Sequence, residues 1–373
     1  QLFQPFVPVD HLKVWVLVPS IETSDENLNY YYDFEQSFNE YKKCFEALKI
    51  QWQWQLINLK NYKEIIKKIQ SEKMQGNFFP IVFNLCDGDE INDSPGISII
   101  KELDNLEIIY TGADAYFYEI TTSKIQMKKA FDLCDICTPN WEILDNSNLN
   151  QPILDKLTIP IIVKPAVSGG SLGVGVKNVV YNIPELITQY KKITEGYHGW
   201  NLGTAGVIAE SFIIGKEFTT FIVGSYTNPS FSKIYTPVER VFHKSLPKNE
   251  QFLSFDRLWE IYEHESAMPN EDNFFEYELP DSNLIEPLKK LSWDAYKSVK
   301  GVGYTRIDIR LSEENNTLYV LEVNAQCGIS EDENFTSIGA ILKASNISFE
   351  EMVIDIINDA FIRRKIKNNY EQI

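Results

Sequence analysis

The 373-residue chain lacks any run of eighteen apolar residues, so no stretch of it is suited to crossing a bilayer as a helix. Cysteine is scarce: Cys44, Cys86, Cys134, Cys137 and Cys327 are too few, and odd in number, to frame a chain this long with disulfides. A reducing compartment, the cytoplasm, is the expectation, although the chain opens on Gln1 rather than Met and a removed leader is compatible with that. Cys134 and Cys137 form a CxxC, but no second pair or histidine cluster accompanies them, which argues against zinc or redox chemistry. Positive charge is in deficit, with 35 basic against 53 acidic side chains and a formal net charge of −18. Such a balance opposes nucleic acid and acidic lipid as partners and favours small molecules. Internal repeats and low-complexity tails are missing as well.

What is present is ordinary for a globular protein, 44% hydrophobic and 24% charged, and long enough for two or three packed α/β units. Residues 12–18 (LKVWVLV) read as a buried strand, followed by Phe34, Phe38, Tyr41, Phe45 and Leu48 at helical steps. Strands at 52–57, 80–85 and 106–110 alternate with helices at 60–70 and after Pro95, which predicts an open parallel sheet over residues 1–115. The third strand runs into Asn84-Leu85-Cys86-Asp87-Gly88-Asp89, and ligands of open α/β sheets bind at the carboxyl ends of strands; an Asx-rich turn fits the same residues. Near the C-terminus, Ser348 and Glu351 predict a capping box. Phe349, Met352, Val353, Ile356, Ile357, Ala360 and Phe361 then form one helical stripe.

The chemistry concentrates in Gly303–Gly328, whose arms 304–311 and 318–323 flank the polar turn 313–316 and predict a β-hairpin. Antiparallel pairing would bring Asp308 near Glu322, with Asn324 on the same face because strand side chains repeat every two residues. Two carboxylates and an amide oxygen suit a Mg²⁺ ion that shares its other positions with water and phosphate, and Arg306 lies beside them. The solvent-facing row of an ordinary sheet has the same spacing.

Upstream, Lys124 opens a helix, Lys164 ends a strand, and Ser168–Gly175 places four glycines in eight positions. Such a stretch reads as a mobile flap whose backbone N–H groups approach phosphate oxygens, or as a plain Gly-rich turn. Glu210 and Glu217 bracket a turn and could accept hydrogen bonds from an adenine amino group and ribose hydroxyls, or be exposed strand residues. The aromatic-rich segment 244–281 reads as a packed lid.

In order, YTGADAYFYEITTSK, IIVKPAVSGGSLGVG, VIAESFIIGKEFT, GYTRIDIRL and LYVLEVNAQCG resemble the ATP-grasp fold, and most closely D-alanine:D-alanine ligases, from about Phe79 to Ile329. The resemblance implies an α/β protein, α+β in its C-terminal half. It would have three subdomains: 1–115 (pre-ATP-grasp), 116–205 (central, with the flap) and 206–373 (C-terminal, with lid and hairpin). ATP would lie between the last two. By position, Lys124 and Lys164 would hold phosphates, Gly169, Gly170, Ser171 and Gly173 would cover them, and Glu210 with Phe212 and Ile213 would face adenine. Glu217 would hold ribose, and Asp308, Glu322 and Asn324 would ligate two Mg²⁺ ions, with Mn²⁺ as a substitute. Arg306, Ser171 and Lys164 would serve catalysis, Arg306 by stabilising an acyl-phosphate and a tetrahedral intermediate.

The implied reaction joins a carboxylate to an amine of an amino acid, peptide or other small molecule, and the implied assembly is a homodimer. The departures lie on the substrate side. Only Glu22 is placed to grip a first amino group, Gly170-Ser171 replaces paired serines, and Phe255 and Leu258 stand near where the lid's tyrosine and lysine belong. The acidic run Ser330-Glu331-Asp332-Glu333-Asn334 replaces a carboxylate site. These differences predict an amino acid or amine other than D-alanine. The competing expectations are a nucleotide-binding regulator without turnover and a phosphotransferase that stops at a phosphorylated product.

Overall fold

The computed structural model describes residues 7–21 and 34–370, without the side chains of 365–370; Glu22 lies outside the described residues. In chain order the strands are β1 (Leu12–Pro19), β2 (Gln51–Ile57), β3 (Phe79–Asn84), β4 (Trp141–Leu144), β5 (Ile161–Pro165), β6 (Val179–Val180), β7 (Val207–Ser211), β8 (Gly215–Ser225), β9 (Lys233–Ile234), β10 (Val238–Phe242), β11 (Phe275–Glu278), β12 (Val302–Ser312) and β13 (Leu318–Ala325). The helices are α1 (Glu35–Leu48), α2 (Tyr62–Gln75), α3 (Ile97–Asn105), α4 (Ala115–Thr122), α5 (Lys124–Leu133), α6 (Gln151–Lys156), α7 (Ile183–Glu195), α8 (Phe255–Leu258), α9 (Ser282–Ser298), α10 (Ser337–Ser345) and α11 (Phe349–Tyr370).

These elements form three sheets. The first is parallel, in the order β2-β1-β3, as the β/α alternation requires. The strand expected at 106–110 shrinks to a single parallel bridge, Val82 to Tyr110. Glu107 takes a left-handed φ of 52° to end α3, which consumes the residues that would have begun the strand. The second sheet, β4-β7-β5-β6, is antiparallel and takes in β7, which lies after residue 205.

The third sheet, β11-β10-β8-β12-β13 with β9 on β8, is also antiparallel and carries the site. Alternation along β8 and β12 divides its faces. Phe218, Ile222, Ile307 and Ile309 turn to one core with Leu288, Ala295 and Tyr296 of α9. Phe221, Val223 and Tyr304, on the opposite face, join Tyr41 and the α11 stripe in another. The rest of that opposite face is polar: Glu217, Thr219, Arg306, Asp308 and Arg310. The α11 capping box forms as expected, Ser348 Oγ accepting from Glu351 N at 3.1 Å and Glu351 Oε2 from Ser348 N at 2.9 Å. Helix α9 escaped the sequence reading because Pro287 lies inside it; near the helix start a proline forfeits a single backbone bond.

Candidate active site

The hairpin of β12 and β13 has the expected register, with Asp308 opposite Glu322 and Arg306 opposite Asn324. A bulge after Asp308 leaves Leu321 without a partner, so Val320 and Val323 both reach the core while Glu322 and Asn324 keep to the polar face. Asn324 Nδ2 lies 3.1 Å from Asp308 Oδ2 and 3.3 Å from Glu322 Oε1, so the three side chains converge. Turning that amide over would present its oxygen beside the two carboxylates. No group of three or more His, Cys, Asp or Glu side chains suited to a metal occurs among the described residues. A divalent ion here would have two carboxylates and an amide, which fits Mg²⁺ that keeps water or phosphate oxygens and fits no all-protein cage. Arg306 turns back on Asp308, its Nε 3.2 Å and its Nη2 3.0 Å from the carboxylate.

Lys124, at the first turn of α5, reaches Ser168 O at 3.4 Å and stands 3.8 Å from Glu322 Oε2. It bridges flap and hairpin. Burial lowers its pKa, with Glu322 opposing. Lys164 of β5 pairs with Glu210 of β7, whose other oxygen is 2.8 Å from Lys128 Nζ. Glu210 is therefore a buried counter-ion shared by two lysines. Lys128 went unnoticed in the sequence, although it lies one helical turn after Lys124 and so on the same face.

Burial alone would raise the Glu210 pKa, but Lys128 and Lys164 outweigh it and hold it at about 2. A depressed carboxylate contributes stability above its ordinary value near 4.5, and that contribution fades as pH falls toward about 2. Glu210→Gln should remove this component of the acid dependence of Tm, measured by calorimetry between those pH values. An unchanged profile would mean the pairing is not maintained.

Glu217, expected at the ribose, is likewise paired with cations. Cross-strand pairing aligns Tyr277, Arg240, Glu217, Arg310 and Tyr319 in one row across five strands. Arg310 Nε and Nη2 donate to Glu217 Oε2 at 3.0 and 2.9 Å, while Arg240 donates to Oε1. Both carboxylate oxygens of Glu217 thus meet a guanidinium. Arg310 also donates to Ile213 O at 2.7 Å and to Gln251 O, and its guanidinium stands 5.0 Å from the Phe212 ring. Phe212 packs with Val174 of the flap and Phe252 of segment 244–281.

The Gly-rich segment connects antiparallel β5 and β6, as a flap must. Gly170, Ser171 and Gly173 have left-handed φ values of 54°, 63° and 75°, and a Cβ on Gly173 would come 2.6 Å from Leu202. Segment 244–281 folds over this loop. Trp259 Nε1 donates to Gly170 O at 2.9 Å, and Glu265 Oε1 accepts from Val176 N at 2.7 Å. Trp259→Phe keeps the ring and removes that bond, worth roughly 1 kcal/mol or about fivefold in lid opening. Limited proteolysis within 244–281 should speed up by that factor; an unchanged rate would show that Trp259 does not latch the lid.

The acidic run 330–334 does not act as expected. Glu331 binds Lys43 at 2.9 Å, Glu333 binds Lys343 at 2.6 Å, and Asp332 Oδ1 accepts from the amides of Asn334 and Phe335. Its charges are spent on the fold, which removes the electrostatic reason given for a cationic substrate at this loop.

The D-ala D-ala ligase C-terminus family matches residues 132–358. The chain belongs to this family. A D-alanine–D-alanine ligase of Borrelia duttonii is 29% identical over 221 residues, 59% of this chain and 53% of that relative. Ligase A of Bacillus cereus is 27% identical over 268 residues, 71% of this chain and 75% of that relative. The chain thus spans about half the length of the first relative and three quarters of the second. Among solved structures, the Bacillus anthracis ligase complexed with ATP aligns at a TM-score of 0.64 and 20% identity, covering 95% of this chain and 99% of that one. The Coxiella burnetii ligase aligns at 0.67 and 16%, covering 97% and 98%. These likenesses show the ATP-grasp fold across nearly the whole family member described here.

Proposed function

We propose that the chain is an ATP- and Mg²⁺-dependent carboxylate–amine ligase acting on small amino acid, peptide or amine substrates. The observation that carries this reading is the pairing of Lys124 with Glu322 at 3.8 Å, which sets a phosphate-type cation against the oxygen donors of the hairpin. A carboxylate is inert to amines because its leaving group would be oxide; transfer of a phosphoryl group from ATP gives it a better one, and the amine then displaces phosphate. Bound at Asp308, Glu322 and Asn324, Mg²⁺ would neutralise charge developing on the phosphates. Lys124 and Lys164 hold and orient the phosphate oxygens, and Arg306, one strand step from the hairpin carboxylates, faces charge that develops on the acyl group. Ser171 and the glycines around it cover the phosphates with backbone N–H groups, and the lid closed over them excludes water from the activated acyl group.

Relatives named as D-alanine–D-alanine ligases make D-alanine the first substrate to try. ADP and phosphate release should be measured with D-alanine, then with panels of D- and L-amino acids, dipeptides and amines, alongside mass detection of the amide. ATP binding without release for any pair would overturn the ligase reading. A phosphorylated product without an amide would replace it with a phosphotransferase.

A further inference from the structure

Resting on that reading, we infer that Lys128 is a positioning residue for phosphate binding: it stays with Glu210 as a fixed counter-ion, so that Lys164 can leave the same carboxylate and hold the phosphates of ATP. The two lysines that share Glu210 are built differently. Lys128 Nζ lies 2.8 Å from Glu210 Oε2 and also donates to Thr138 Oγ1, which in turn donates to Val320 O at 2.8 Å. Val320 N donates to Cys137 O at 2.8 Å, so the segment before β4 is tied to β13 two residues ahead of Glu322. The Lys128 ammonium is thus held from two sides, and its side chain is 1% exposed. Lys164 takes the other oxygen, Oε1, from a side chain that is 17% exposed, and among the described residues its ammonium bonds only Glu210. One cation is locked in place and the other is free to turn.

The charge count gives the reason for a second lysine. Lys124, Lys128 and Lys164 bring three positive charges to this region, and the carboxylates they meet, Glu210 and Glu322, return two. Burial lowers the Lys128 pKa, Glu210 opposes that, and Lys164 adds to it as a neighbouring like charge. The surplus cation is what a phosphate oxygen would meet. Without Lys128, Lys164 would be the sole ion partner of a carboxylate whose side chain is 2% exposed, and turning to phosphate would strand that carboxylate uncompensated. With Lys128 in place, Glu210 keeps a partner whichever way Lys164 points. Lys128 therefore acts on the nucleotide through Glu210 and not by contact.

Calorimetry with the full chain and Mg²⁺ tests this by comparing a non-hydrolysable ATP analogue with adenosine, which has the base and ribose but no phosphate. Lys128→Met should weaken the analogue by about tenfold or more, the scale of a hydrogen bond between charged groups, and adenosine by less than about twofold. Lys128→Arg should recover part of the loss. Adding Glu210→Gln to Lys128→Met should return the ratio of the two affinities to within about threefold of its wild-type value, because Lys164 then has no carboxylate to abandon. Any change in base contact is common to both ligands and cancels in that ratio. The double variant has no buried carboxylate to strand, and it carries the test if Lys128→Met does not fold. Unchanged analogue affinity in Lys128→Met, equal losses for analogue and adenosine, or no recovery in the double variant would each overturn the role of Lys128 and leave the ligase reading standing. Failure of the wild-type chain to bind the analogue would instead sink the ligase reading and this role with it.

Discussion

Glu322→Gln is expected to lower ADP release by roughly a thousandfold at saturating ATP, because losing a metal-holding carboxylate forfeits several kcal/mol of charge stabilisation. The substitution keeps the side chain's shape and its amide can still meet Asn324, which now lies 3.3 Å away. Glu322 is partly exposed and its ion pair with Lys124 is long at 3.8 Å, so the fold has little to lose. Tm should move by no more than a few degrees. The decisive readout is the split between steps. Mg²⁺ concentration for half-maximal rate should rise, while amino acid affinity, set elsewhere in the cleft, should hold. Full activity in Glu322→Gln, or a loss that tracks unfolding, would show that the hairpin carboxylates do not handle the metal.

How far the sequence reveals this site depends on whether a feature is local. The hairpin was legible because two-residue periodicity survives in β12 and because the turn 313–316 leaves one plausible pairing. The bulge at Leu321 was not, since an apolar run gives no sign of which residue is left unpaired. The α11 stripe and its capping box were legible for the same local reasons. Partners brought together by three dimensions were hidden. Nothing local to Glu210 and Glu217 shows that they pair with Lys128, Lys164, Arg240 and Arg310, which come from other strands and a helix. The acids of 330–334 misled in the same way, because Lys43 lies nearly three hundred positions earlier. Asp89 was within the stretch marked for substrate contact, but only the folded turn shows that it caps the amides of Ile91 and Asn92.

The second large effect concerns the arginine row. Glu217→Ala should destabilise the protein by about 3–5 kcal/mol, since it leaves two guanidinium groups buried without their shared counter-ion. Arg240 and Arg310 are both nearly fully buried, and neither can shed its proton to relieve the cost. Equilibrium denaturation in urea measures the loss; a change below about 1 kcal/mol would mean the arginines find other partners or water. Replacing all three charges together, Glu217→Met with Arg240→Met and Arg310→Leu, should recover most of the stability, because an apolar trio has no charge to leave uncompensated. That triple variant also separates structure from recognition. Arg310 touches Ile213 O, Phe212 and Glu217, the residues marked for the base and ribose. If stability returns and ATP affinity does not, the guanidinium row forms part of the nucleotide pocket in its own right; if both return, the row is scaffold, and the base is held by the apolar walls alone.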